Sequence, residues 1–299
     1  YNFYKKKYKK IPKRISLGIQ NNIIYASDNI GYVYALDYIN KKLIWAKNYK
    51  IPFRSNLKVL ENKIIIADQD NILYLLNKNN GDKIKSFPTE ENILKNNFFN
   101  SLAAIDNNLY FLNTYGSLYS IDHKNLRINW FRNLNQSTNL NPNNIFFSNP
   151  IVLYNDKIIL STDPYLYILN LTNGSSIFKI SISSLIKPIV SNKNIFLITK
   201  DNLLVCINLE TGKIIYSIDI SNEIAKFLGI KQKTLQVNNL SLLNDELFIF
   251  LKNSYVVQFS PNGKLNDIYK LPQRLSSFPI FIDGSMFYLN KRNKLIVVN

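Results

Sequence analysis

The 299-residue chain has one cysteine, one histidine, nine glycines and no long apolar run, and each shortage excludes something. A lone cysteine, Cys206, rules out an intramolecular disulfide. Its place in the apolar stretch Leu203 to Asn208 marks it as a small buried hydrophobe. The lone histidine, His123, has no serine, cysteine or acidic partner at a recognisable spacing. It is expected as a solvated turn residue and not as a catalytic base. No Gly-x-Ser-x-Gly elbow, phosphate-cradling loop or metal-ligand cluster is present, so no enzymatic activity, cofactor or metal is expected. No stretch approaches the roughly 18 to 20 apolar residues that a membrane-spanning helix needs.

Acidic residues are also in deficit: 20 Asp and Glu face 37 Lys and Arg, for a net charge of +17. Such a balance suits nucleic acid or an anionic membrane surface. Apart from Lys5 to Lys10, however, the lysines are scattered, and the abundance of Asn, Ile, Tyr and Phe points to A+T-rich codons. No aromatic-interleaved RNA-binding signature occurs, and nucleic acid is not expected as a partner. A cysteine-poor chain fits the periplasm as well as the cytosol. The chain starts at Tyr1 and not at methionine, so a leader or anchor is expected ahead of it.

What is present in abundance is a repeat. The stretch Gly31 to Trp45 reads as a strand of alternating aromatic and aliphatic residues, a polar turn and a second strand ending in tryptophan. The polar residue closing the first strand recurs at Asp37, Asn77, Asp122, Asn170, Asn208, Ser260 and Asn299. The spacing, about 40 to 50 residues, is the period of β-propeller blades. A turn glycine follows at Gly81, Gly174, Gly212 and Gly263, where a hairpin reverses and φ must be positive. Eight residues after the mark stand Trp45, Trp130, Phe178 and Tyr216, placed to fill the seams between blades. The expected fold is therefore all-β: one propeller domain over 1–299 with seven four-stranded blades, an eighth being left open.

The blades are placed at about 16–50, 54–88, 100–134, 147–182, 187–220, 237–271 and 276–299. The last lacks a fourth strand, and an open blade exposes unpaired backbone. Tyr1 to Pro12 reads as either a disordered arm or a strand, and Tyr1 to Lys10 is the candidate to close the last blade. Asp28-Asn29 and Asp68-Gln69-Asp70-Asn71 read as hairpin turns and not calcium loops. Between the fifth and sixth blades an insertion is expected to form a short helix, capped by Asn222 and ended by Gly229.

Gly-x-Val-Tyr-Ala-Leu-Asp with Trp45 eight residues on, and Leu204-Val-Cys-Ile-Asn-Leu-Glu-Thr-Gly-Lys, resemble the PQQ-like (pyrroloquinoline quinone type) propeller repeat over nearly the whole chain. Two classes share that repeat: quinoprotein dehydrogenases, and BamB, a noncatalytic lipoprotein of the outer-membrane β-barrel assembly machinery. The dehydrogenase class implies a longer chain, a vicinal cysteine pair and a calcium site. The BamB-like outer membrane protein assembly factor class implies a single propeller of this size, usually of eight blades. It also implies a lipid-modified N-terminal cysteine on the periplasmic side of the outer membrane, and docking on the barrel-inserting subunit. A soluble periplasmic propeller binding a peptide or glycan is the alternative.

Two similar clusters precede the inner strands of adjacent blades, Asn96-Asn97-Phe98-Phe99-Asn100 and Asn143-Asn144-Ile145-Phe146-Phe147-Ser148. Connections between blades emerge on one rim, so Phe98, Phe99, Phe146 and Phe147 are the candidate partner-binding residues, an apolar patch with an asparagine border. The resemblance puts the family's partner-binding loops in these same stretches, with Asn97, Ile145 and Phe147 at the approximate positions. At least two of the four rings are expected to point inward as the start of their inner strands.

Overall fold

Unbroken apolar runs such as Ile64-Ile65-Ile66-Ala67 and Ile158-Ile159-Leu160 carry the structure, because every one of these side chains is buried. A strand can hide consecutive residues only if both of its faces are covered. Each run is the second strand of a sheet with neighbours on both sides. The computed structural model describes residues 13–91, 99–135 and 146–299. The fold class is all-β, a β-propeller of seven blades. Six sheets have four antiparallel strands in simple chain order, spanning 15–48, 58–87, 101–133, 152–180, 189–219 and 237–270. Three described strands form the seventh, over 280–298. Strands are called a to d in chain order within each sheet. The proposed closing strand, Tyr1 to Lys10, lies outside the described residues.

The chain divides into two compact units, residues 1–153 with 171–175, and 154–170 with 176–299. In the first unit, Ile64 and Ile66 pack with Tyr25, Val33 and Ala35 of the first sheet. Their neighbours Ile65 and Ala67 pack with Leu102, Leu109 and Phe111 of the third. In the second unit the same alternation sends Ile249 and Val257 towards Cys206 and Phe196, and Phe250 and Val256 towards Tyr288. Cys206 is buried, and desolvation raises its pKa to about 11, so the thiol stays protonated and inert.

Consecutive sheets are locked by one recurring contact. Trp45 lies against Gly81, Trp130 against Gly174, Phe178 against Gly212 and Tyr216 against Gly263, the aromatic always on strand d of one sheet and the glycine in the c to d turn of the next. A Cβ at Gly174 would come within 2.7 Å of the Trp130 ring, and its φ is +70°. The rings also donate hydrogen bonds to those turns: Trp45 Nε1 to Lys78 O at 2.9 Å, and the Tyr216 hydroxyl to Pro261 O at 2.8 Å. Each aromatic stands opposite the residue just before a β-bulge in strand c, as Ala35 faces Trp45 and Ser120 faces Trp130.

The structure corrects two expectations. His123 does lie in a c to d turn, but it is 1% exposed, its Nε2 3.2 Å from Asp106 O. The turn is drawn inward because the Lys63 ammonium donates to His123 O at 2.9 Å while Lys124 pairs with Glu61 at 3.0 Å. The insertion helix, α1 (Ile220–Leu228), ends at Gly229 in the left-handed conformation, but its cap is Asp219 and not Asn222. The Asp219 carboxylate accepts from Ser221 N and Asn222 N at 2.8 and 3.2 Å, so the helix starts directly from the preceding strand.

Gly174→Ala and Gly284→Ala separate backbone strain from the lock. Both positions have positive φ, but nothing lies within 4 Å of a Cβ at Gly284. The conformational cost of about 1–2 kcal/mol is common to both. Gly174→Ala, which must also displace Trp130, is expected to lower the thermal midpoint by several degrees more, read by circular dichroism.

Candidate functional site

In the first three sheets the b to c turn is built on a polar residue that accepts hydrogen bonds from its own turn. Asp28 Oδ1 accepts from the backbone N of Ile30, Gly31 and Tyr32, all at 2.9 Å, and Oδ2 accepts from the Tyr34 hydroxyl at 2.7 Å. Asp68 Oδ1 takes the amides of Asp70 and Ile72, and Asn113 Oδ1 those of Tyr115 and Ser117. These aspartates are committed to their turns, and among the described residues no group of three or more His, Cys, Asp or Glu could hold a metal ion.

The segment leaving strand d runs back along this turn, which puts the connections between sheets on the same rim. Tyr49 N donates to Gly31 O at 2.8 Å, Leu134 N to Gly116 O at 2.8 Å and Phe146 N to Thr114 O at 3.1 Å. The Phe146 ring is half-buried against Gly116, where a Cβ would sit 2.8 Å from it. Phe147, the next residue, is 49% exposed, and Phe99 is 45% exposed with the Arg14 guanidinium 5.4 Å from its ring centroid. Phe98, the fourth of the expected set, lies outside the described residues. The described members therefore split into two exposed rings and one that props the turn.

Phe99 is held by its neighbour. Asn100, itself buried, donates from N to Arg54 O at 2.6 Å and from Nδ2 to Asp68 O at 2.9 Å, and its Oδ1 accepts from Thr114 N at 3.1 Å. Three chain segments thereby fix the one residue that follows the ring. Beside it the sequence reading missed a second device, centred on Glu90. Its carboxylate accepts from Ser117 Oγ at 2.8 Å, the Tyr119 hydroxyl at 2.8 Å and Asn113 Nδ2 at 3.0 Å, while its carbonyl accepts from Asn71 Nδ2 at 2.8 Å. Thr114 Oγ1 donates to Asn71 Oδ1 at 2.9 Å and completes the seam between the second and third sheets. The available signal was an acidic residue in a basic chain, placed between a strand and the first phenylalanine cluster.

The electrostatics follow from this packing. Burial pushes the Glu90 carboxyl up, but its own backbone N–H and the hydrogen bonds from Tyr119, Ser117 and Asn113 outweigh it and hold the group below its ordinary 4.5. Burial raises the Asp68 carboxyl and, together with Glu90, the Tyr119 phenol. Desolvation, then the charge of Arg14, lowers Arg54. An exposed Phe99 ring with the Arg14 guanidinium over it, on backbone held by the buried amide of Asn100, suits binding to a protein surface.

A folded pKa below the unfolded one stabilises the protein above that unfolded value, and the contribution disappears as pH falls through the folded pKa. Glu90→Gln should therefore lower stability at pH 7, and the gap to the parent should close below about pH 4. Chemical denaturation at the two pH values measures this.

The chain matches, over residues 9–218, the model of a family described as outer membrane protein assembly factor BamB. No curated protein sequence matches it. The crystal structure of BamB from Moraxella catarrhalis superposes with a TM-score of 0.75 at 13% identity, covering 95% of this chain and 83% of that one. The computationally designed Ika8 protein superposes with a TM-score of 0.55 at 10% identity, covering 95% and 96%. At these identities the likeness is one of fold.

Proposed function

The chain belongs to the family of outer membrane protein assembly factor BamB, and from that premise we propose that it is a noncatalytic scaffold on the periplasmic side of the outer membrane. It supports β-barrel assembly by docking a protein partner, the barrel-inserting subunit. The observation that carries the reading is the rim of the first unit: Phe99 and Phe147 are exposed immediately beside backbone tied to the b to c turns. Large apolar side chains at such positions cost the free protein exposure to water, which a partner surface relieves. The rim's rigidity limits the entropy lost on binding. Phe146 supports the loop from beneath, its ring against Gly116.

Phe99→Ser and Phe147→Ser, singly and together, should reduce co-purification with the barrel-inserting subunit while leaving the circular dichroism spectrum unchanged. Loss of two ring contacts at an interface centre corresponds to about tenfold to a hundredfold in affinity. Phe146→Ser should instead destabilise the fold. Retained binding by the double variant would place the partner on another face.

The noncatalytic part of the reading has its own test. Mixed with pyrroloquinoline quinone, calcium and alcohols or aldose sugars, the purified chain should reduce a redox dye no faster than the free cofactor. Cys206, the lone cysteine, is buried with a raised pKa and is not poised for redox chemistry.

A further inference from the structure

The b to c turn of the seventh sheet, Asn290 to Lys294, is built like its counterparts but carries different charges. Buried Asn290 accepts through Oδ1 from Arg292 N at 2.8 Å and Lys294 N at 3.0 Å, and its Nδ2 donates to Gln273 Oε1. The Tyr288 hydroxyl donates to Gln273 O at 2.9 Å, and Asn293 takes a φ of 56° to close the turn. This fixed floor underlies an open surface cavity of ≈ 470 Å³ lined by buried Asn290 and by exposed Gln273, Arg274, Lys291, Arg292 and Lys294. Four of the six lining residues are cationic and none is acidic.

Equivalent turns in other sheets carry acids: Asp28 in the first, Asp68 and Asp70 in the second, Asp163 in the fourth and Asp201 in the fifth. Lysines elsewhere find carboxylates, as Lys200 does on Asp163 and Lys193 on Glu210. Among the described residues, none of the four cations lining this cavity pairs with a carboxylate. Cations gathered around one concavity repel each other until an anion enters, and the guanidinium fork matches the oxygens of a phosphate.

We propose that this cavity binds a phosphate-bearing anion, either free as a diphosphate or displayed as an anionic phospholipid headgroup. Gln273 and Asn290 hold the turn, and the guanidinium and ammonium groups of Arg274, Lys291, Arg292 and Lys294 supply the donors to the phosphate oxygens. No aromatic ring lines the cavity, so the stacking platform that single-stranded nucleic acid requires is missing.

The test titrates the full chain with inorganic pyrophosphate by calorimetry in about 0.1 M salt, where diffuse surface charge is largely screened. A parallel arm sediments the chain with vesicles of phosphatidylcholine alone or mixed with phosphatidylglycerol. Two quadruple variants have equal net charge: R274Q/K291Q/R292Q/K294Q removes the cavity's cations, and K187Q/K213Q/K231Q/K264Q removes exposed ones elsewhere in the same unit. Arg274→Gln alone, on an exposed connection, guards against a folding defect in the turn.

Expected are one-site pyrophosphate binding weakened about tenfold or more by the cavity variant, a smaller drop in the same direction for Arg274→Gln, and no change in the control. Cavity-dependent sedimentation with phosphatidylglycerol vesicles assigns the phosphate to lipid, and cavity dependence confined to pyrophosphate assigns it to a free anion. Equal losses in both quadruple variants, no cavity dependence in either arm, or displacement of pyrophosphate by polyglutamate at lower concentration would overturn the proposal.

Discussion

The contact of a strand d aromatic with the c to d turn of the following sheet is the constraint on which the rest depends. An aromatic side chain buries about 150–250 Å², which at 25 cal/mol per Å² amounts to several kcal/mol for each lock. The contact requires a turn without a Cβ, so ring and glycine form one feature divided between sheets some 40 residues apart. The second and third sheets test this rule by breaking it. Strand d of the second sheet has Lys85 where the first, third, fourth and fifth sheets have a ring, and the third sheet's turn has Leu126 at φ 58° in place of glycine. There the Lys85 ammonium donates to Leu126 O at 3.0 Å, so a hydrogen bond stands where ring packing stands elsewhere.

These locks occupy one end of each sheet, and the opposite end is left to polar chemistry. The b to c turns and the connections leaving strand d share that end, where Asn100, Glu90 and Asn113 hold backbone segments in place. The division has a physical basis. Packing rings on glycines requires regular turns of one length, whereas connections between sheets can vary in length and composition without disturbing the strands. Exposed phenylalanines are tolerated on these connections because neighbouring residues such as Asn100 and Glu90 join the sheets there.

Burial then decides how the chain's few reactive groups behave. Cys206 and His123 differ in sequence setting, one in an apolar strand and one in a polar turn, yet both are almost wholly buried. Hydrophobic neighbours predict burial of the first. The second is buried by Lys63 and Glu61 of the adjoining sheet, some 60 residues away, which hold His123 O and the neighbouring Lys124.

The repeat, the four strands of the first six blades, the turn glycines and the seam-filling aromatics were legible along the chain, because these follow from local periodicity and from the φ that each turn demands. The helix stop at Gly229 was legible for the same reason. Its start was not, since Asp219 caps it from the end of a strand, and a cap depends on where the chain arrives. Only the folded chain decided that Phe146 supports Gly116 while Phe147 faces outward, that Glu90 knits two sheets, and that Arg274 meets three cations of the seventh sheet's b to c turn at one cavity. Each of these joins residues brought together by the stacking of sheets, and no spacing along the chain encodes which side of a connection will meet its neighbour.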